Sequence, residues 1–227
     1  MIHIRNLDFR YPRADFRLVI DDLKIETGEK VAFVGPSGSG KTTLLNLISG
    51  ISVADQGSIN VAGKEVSQLS DAQRRDFRVA NAGFVFQRFE LIEYLNVRDN
   101  ILFPFLINPS VDCTPEVRTR MLELAESVGI ASLLKRYPRQ LSQGEQQRVA
   151  ICRAMILSPP LILADEPTGN LDPANKEIIL ELMLSAIDVQ DRTFVVVTHD
   201  RSVAEKCDRT IDFSSFHQQI KTGEALS

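Results

Sequence analysis

The sequence predicts an α/β protein: a mainly parallel sheet, an antiparallel β portion at the N-terminus, and a helical block inserted into the middle of the chain. Three observations carry this. A glycine-rich loop, Gly35-Pro36-Ser37-Gly38-Ser39-Gly40-Lys41-Thr42-Thr43, joins the apolar run Lys30-Val31-Ala32-Phe33-Val34 to a helical pattern at Leu44, Leu45, Leu47 and Ile48. Two further runs, Leu161-Ile162-Leu163-Ala164 and Phe194-Val195-Val196-Val197, have the unbroken hydrophobicity of strands buried on both faces, the habit of parallel sheets. Between 89 and 155 strand-like runs stop and apolar residues recur with helical spacing. The core is accordingly placed at 1–88 and 156–227, with a helical subdomain at 89–155.

In chain order, Ile2, Ile4 and 7–9 form a first strand, Arg10-Tyr11-Pro12 a turn and 18–25 a second strand, with Thr27-Gly28-Glu29 turning into the strand before the glycine-rich loop. The helix after that loop ends at Ser49-Gly50. Residues 57–61 with the turn Ala62-Gly63-Lys64 suggest another hairpin, and Ser70-Asp71-Ala72-Gln73 opens a capped, charged helix. Ala82-Gly83-Phe84-Val85-Phe86 is a short buried strand ending at Gln87. Helical spacing follows over 96–106, 114–128 and 145–157, with Thr114 as N-cap and Pro115 at the first helical position of the second. Leu91 and Ile92 are either ordinary core or part of a surface that meets another molecule. A helix over 174–187 and the strand 193–198 complete the core; the tail after Asp212 is polar.

The chemistry concentrates at strand ends. The three glycines let the 35–43 backbone curl with its N–H groups inward, so loop and helix N-terminus make a nest for phosphate oxygens. Lys41 adds a full charge near β- and γ-phosphates, and the Thr42 hydroxyl is suited to Mg²⁺. The run 161–164 delivers Asp165 and Glu166 to the ligand-binding end of a parallel sheet. There Asp165 reaches the metal shell and Glu166 polarises a water for in-line attack; adjacent residues of an extended strand point apart. His199 ends its strand on the same edge, suited to a γ-phosphate. Gln87 either ligates a metal and positions water, or caps a loop. Tyr11 either stacks on an adenine or fills an amphipathic turn. Ser142 and Gly144, in Leu141-Ser142-Gln143-Gly144-Glu145, make either a second anion site at a helix N-terminus or a plain N-cap.

Bulk properties restrict the rest. At 227 residues the chain suits one large domain, or a core with a subdomain, able to bury about 70% of its unfolded surface. A net charge of −4 and a pI near 5.5 argue against a dedicated nucleic-acid binder. Cys113, Cys152 and Cys207 are odd in number and lack CxxC spacing, which fits a reducing cytosol and neither a disulfide frame nor a zinc site. No secretory h-region opens the chain, and apolar runs such as 101–107 are far too short for a membrane span.

As an ordered set, the phosphate loop, Gln87, the 141–145 segment, Asp165-Glu166, Asn170-Leu171-Asp172 and His199 resemble the ATP-binding subunit of ATP-binding-cassette transporters, over 2–212. The resemblance implies a P-loop NTPase fold, ATP and Mg²⁺ as ligands, and Mg-dependent ATP hydrolysis. It makes Tyr11 the adenine-stacking aromatic, Gln87 the loop glutamine that senses Mg²⁺ and couples to a membrane partner, and Glu166 the catalytic base. Asp172 becomes the aspartate that communicates across a dimer, and His199 the switch histidine. It further implies a head-to-tail homodimer on ATP, Ser142 and Gly144 of one copy closing over the γ-phosphate held by the other. A membrane permease would be driven through the Gln87 loop and helical subdomain, from a cytoplasmic position on the inner face of the membrane. Residues 84–89, 96–100 and 141–150 look most like the branch that includes lipoprotein release, macrolide efflux and the bacterial cell-division pair. Two residues depart from the family pattern: Gln143 replaces a glycine, and Glu145 replaces a glutamine and adds negative charge near a triphosphate. A soluble cassette acting on nucleic acid or ribosomes is the competing class, and the coiled-coil insertions or second cassette of such proteins are missing from this sequence.

Overall fold

The computed structural model describes residues 1–11, 16–188 and 192–218; Pro12 and the end of the tail lie outside them. The chain runs β1 (Ile2–Arg10), β2 (Arg17–Ile25), β3 (Lys30–Val34), α1 (Lys41–Ile48), β4 (Gln56–Val61), β5 (Lys64–Glu65), α2 (Asp71–Asn81) and β6 (Ala82–Val85). It continues through α3 (Val97–Ile101), α4 (Phe103–Ile107), α5 (Pro115–Ser127), α6 (Gln143–Met155), β7 (Leu161–Asp165), α7 (Pro173–Asp188), β8 (Thr193–Thr198), α8 (Arg201–Ala204), β9 (Arg209–Asp212) and β10 (His217–Gln218).

Two sheets result. One has the order β10-β2-β1-β4-β5 and is antiparallel throughout; the other, β6-β7-β8-β3-β9, is parallel at every pairing. The period-2 alternation of a strand splits the parallel sheet's side chains between two cores. Val31, Phe33, Leu161, Leu163, Val195 and Val197 face α1 and the antiparallel sheet. Ala32, Ile162, Ala164, Phe194 and Val196 face α6, α7 and α8. Covering both faces is why these strands read as continuous apolar runs.

A third core, built on Val97, Ile101, Met121, Ala125, Val149 and Cys152, holds the helices of the middle region. Helix α6 belongs to two cores at once: Ile151, Ala154 and Met155 pack on the sheet, Val149 and Cys152 on the helices. Gly83 permits this closeness, since a Cβ there would sit 2.2 Å from the Ala154 carbonyl oxygen. The stretch expected as one helix over 96–106 is two, interrupted at Leu102, because Pro104 lacks the N–H that a continuous helix needs and starts a new turn instead. Leu91 packs partly against the third core, and Tyr94, Leu106 and Ile107 are the most exposed of the large apolar side chains among the described residues.

Parallel registry sets the site. Val34 pairs Thr198, Asp165 pairs Val197 and Val85 pairs Ala164, so β3, β6, β7 and β8 end together. The phosphate loop, Gln87, Glu166 and His199 therefore leave one carboxyl edge of one sheet.

Candidate functional site

A cleft of about 450 Å³ opens at that edge. From the loop it is lined by Ser37, Gly38, Gly40, Lys41, Thr42 and Thr43; Gln87, Asp165 and Glu166 close one end, and Tyr11 and Phe16 the other. Helix α1 has Gly40 as N-cap, at φ 99° and without a side-chain cap, so its first N–H groups are left for a ligand. Glycine is required at this position on two counts: the left-handed φ, and a Cβ that would fall 2.4 Å from the Phe16 ring. Lys41 Nζ donates to the carbonyls of Gly35 at 2.8 Å and Pro36 at 2.9 Å. Ser39 Oγ is buried without a hydrogen-bond partner among the described residues. A cationic head resting on two weak carbonyl acceptors and an orphaned hydroxyl suit a loop that receives an anion.

Phe16 carried no motif, yet strand registry points to it. Arg10 pairs Arg17, and one step further opposes Tyr11 to Phe16, whose ring centroids lie 5.7 Å apart. Tyr11 also meets Phe9 edge-to-face at 4.8 Å, and its hydroxyl is 3.2 Å from Thr43 Oγ1. The aromatic ring expected at the first turn is thus fixed beside the phosphate loop.

At the other end Thr42 Oγ1 donates to Asp165 Oδ2 at 2.7 Å. Burial pushes the Asp165 carboxyl above its ordinary value; the Thr42 bond pulls it down, and the Glu166 charge adds to the rise. A half-desolvated carboxylate beside a hydroxyl is a site that gains from a hard cation. No cluster of three metal-ligating side chains exists among the described residues.

Asp165 and Glu166 diverge, though not through the expected alternation of an extended strand. Strand β7 ends at Asp165, and Glu166 has φ 45°, a left-handed backbone that costs a glutamate on the order of 1 kcal/mol or more. Its surroundings hold it there. Glu166 N–H donates to the Val197 carbonyl at 2.9 Å, and its carbonyl accepts from Gly169 N–H at 3.0 Å. The carboxylate accepts from Thr198 Oγ1 at 3.1 Å and from His199 N–H at 3.3 Å, and Oε1 lies 2.8 Å from His199 Nδ1. The His199 side chain is 66% exposed. Thr198 is a second contributor that sequence reasoning missed; as the strand residue before His199 it carried no signal of its own.

Gln87 is tied to the same loop: its carbonyl accepts from Asn170 Nδ2 at 2.7 Å, and a Cβ on Gly169 would come within 3.0 Å of its Nε2. Ser142, Gly144 and Asp172 do not line the cleft. Ser142 N-caps α6 in a capping box. Glu145 N–H donates to Ser142 Oγ at 3.3 Å, while the Ser142 N–H at 2.7 Å and hydroxyl at 2.9 Å both donate to Glu145 Oε2. Those two bonds, the backbone one foremost, hold the Glu145 carboxyl below its ordinary value with help from Arg136 and Arg148. Asp172 accepts from the N–H of Asn175 at 3.2 Å and from its side-chain amide at 2.6 Å, and Asn175 in turn stands against Gly144.

Residues 20–169 match the family model described as ABC transporter, more than half of the chain. The chain belongs to the ABC transporter family. As an ABC cassette it is the ATP-binding, ATP-hydrolysing component of such a system. It is 40% identical to the lipoprotein-releasing system ATP-binding protein LolD of Treponema denticola, over 92% of each chain. It is 42% identical to LolD of Pseudomonas fluorescens, over 86% of this cassette and 85% of that one. Among solved structures, the dimeric structure of a bacterial ABC transporter cassette superposes with a TM-score of 0.84 at 36% identity, covering 93% of this chain and 94% of that one. A dimeric post-hydrolysis state of a cassette bound to ADP and Pi gives the same TM-score at 32% identity, over 98% and 100%.

Proposed function

We propose that this cassette is the motor subunit of a lipoprotein-releasing type of membrane system, dimerising head-to-tail on ATP and driving a membrane permease. The observation that carries the catalytic half is the Glu166 carboxylate, held by Thr198 and His199 one residue beyond an aspartate bonded to the phosphate loop.

In this mechanism the loop N–H groups and Lys41 receive the β- and γ-phosphates, and Tyr11 with Phe16 takes the adenine face. Thr42, Asp165 and Gln87 hold Mg²⁺, which when bound offsets the charge of the β- and γ-phosphates. Glu166 accepts the proton of the attacking water as its oxygen bonds the γ-phosphorus and the β–γ bridging oxygen leaves with ADP. His199, largely exposed next to that carboxylate, contacts the γ-phosphate. Ser142 and Gly144 of a second copy close the phosphate from the far side, with Asp172 at the seam between the copies. Each chain thus supplies one complete cleft and one lid. The dimeric cassettes among its structural relatives support this arrangement.

The permease contact falls below Gln87. An apolar groove of about 360 Å³ is lined by Val79, Phe84, Phe86, Phe103, Ile107 and Leu157, with Arg78, Arg153 and Glu90 among its polar members. The Phe84 and Phe86 rings stack at 5.3 Å. Such a groove between the core and the helices accepts an amphipathic helix from a cytoplasmic loop of a membrane protein. Among the described residues no helix is long and apolar enough to cross a membrane. Purification of the tagged cassette from detergent-solubilised membranes is expected to recover a multi-span protein, and Ile107→Asp to abolish that recovery while leaving basal ATP hydrolysis intact. Recovery of soluble partners alone would overturn the assignment.

A further inference from the structure

Gln147 is an interior polar residue of α6 with no place in the mechanism above. It is fully buried, and its Nε2 donates to the Pro167 carbonyl at 2.6 Å. Because a carbonyl can only accept, the amide orientation is fixed by its partner. The other end, Oε1, is buried without a hydrogen-bond partner among the described residues. A buried amide that satisfies only one end costs stability that an aliphatic side chain would not. The contact it does make is with the residue directly after Glu166.

The position of that contact matters because of what else α6 holds. Three residues N-terminal to Gln147, on the same face, Gly144 abuts Asn175, whose side-chain amide donates to Asp172. At the other end of the helix Arg153 donates to the carbonyls of Phe89, at 2.6 Å, and Glu90, two consecutive residues with positive φ just after Gln87. The N-cap of the same helix is Ser142. One rigid rod therefore carries the lid residue at its tip and touches the loops of Glu166, Asp172 and Gln87 along its length.

Glu166 is the place where such a touch has most leverage. Its left-handed backbone persists only while neighbours hold it. Val197 and Gly169 fix its own peptide groups, and Gln147 fixes the next carbonyl along the chain. We infer that Gln147 is a positioning residue: it ties the backbone behind Glu166 to the helix that presents Ser142, so that seating Ser142 on a second copy's nucleotide sets the catalytic carboxylate of its own cleft. This rests on the proposed motor function. A displacement of about 1 Å in a positioned group costs on the order of a hundredfold in rate.

The test is Gln147→Met, which keeps length and packing and removes the donor. The expected result in steady-state ATP hydrolysis by the full chain is a fall in kcat of roughly tenfold to a hundredfold. KM and the calorimetric affinity for ATP stay within about twofold of the parent. Ile151→Val, a packing change on the same helix, serves as the structural control: it lowers Tm and leaves kcat within about twofold. A kcat for Gln147→Met as high as that of the control, or a loss shared equally by ATP affinity, overturns the positioning role. Should Gln147→Met fail to fold, Gln147→Asn, whose amide is one methylene too short to reach Pro167, decides by the same comparison. If the parent itself shows no ATP hydrolysis, the motor function fails instead, before any variant is measured.

Discussion

The cleft and the Ser142 turn, the two places proposed to receive phosphate, are built in opposite ways. The cleft is assembled from distant segments: Thr42 bonds Asp165 across 123 residues, Tyr11 meets Thr43 across 32, and Gln87 meets Asn170 across 83. The Ser142 turn is made of contacts three residues apart, and its exposed side faces no other part of the described chain. A site woven from long-range bonds is finished when the chain folds. A site made of one local turn is, in the motor proposed above, finished by a second molecule.

That contrast can be broken most forcefully at Glu166. Replacing Glu166 with Gln keeps the side chain's size and its bonds from Thr198 and the His199 N–H, and removes a proton acceptor. Turnover is expected to fall by roughly 10²- to 10⁴-fold, ATP binding to persist, and an ATP-bound dimer to accumulate on size exclusion. Hydrolysis at the parental rate would remove Glu166 as base and leave the cleft a binding site only.

Lys41→Ala tests the cleft's other function. Loss of one charge-assisted contact weakens ATP binding by roughly thirtyfold or more, measured by calorimetry on the isolated cassette. If the affinity is unchanged, the phosphate loop is not where the nucleotide sits. Ser142→Ala sharpens the comparison from the other side. Affinity of the monomeric cassette for ATP should hold within about twofold, whereas ATP-driven dimerisation and turnover fall by about tenfold or more, the weight of one or two hydrogen bonds to a charged group. The lost N-cap also costs about 1 kcal/mol of helix stability, seen as a small drop in Tm. Equal damage to monomer binding would mean that both half-sites lie in one chain.

What the sequence disclosed follows the same division. Local devices were legible: the glycine-rich loop, the Ser70 and Thr114 caps, and the acids at the end of an apolar run. The parallel sheet was legible as well, because strands buried on both faces cannot hide their hydrophobicity. Two features were not. The φ of Glu166 is imposed by β8 and by Gly169, and nothing in the dipeptide Asp165-Glu166 reports it. Gln147 reads as an ordinary helix residue until Pro167 is brought under it. Phe16 was within reach, since continuing the Arg10–Arg17 pairing by one step names it. The break between α3 and α4 was readable too, from Pro104. Glu145, expected to add negative charge near a triphosphate, turns its carboxylate back onto Ser142, a local cap that engages the same hydroxyl.

The smallest expected effect is one of stability, and it concerns the cleft while it waits for its ligand. Asp165 has a folded-state pKa raised above the usual 3.8, chiefly because burial disfavours its charged form. The folded state then holds the proton more tightly than the unfolded chain between those two values, so stability falls as pH rises through that window, and the full penalty remains above it. Asp165→Asn removes the charge while its side-chain oxygen still accepts from Thr42. In the nucleotide-free, metal-free protein the variant's Tm should therefore match the parent's at pH below the unfolded value and exceed it near neutrality by a few degrees. Contributions from carboxylates remote from Asp165 cancel in the difference. Added Mg²⁺ with ATP should reverse the order, stabilising the parent and not the variant, because the same burial that penalises a lone carboxylate strengthens its hold on a cation. A Tm difference independent of pH would mean that Asp165 is not under electrostatic strain in the empty cleft.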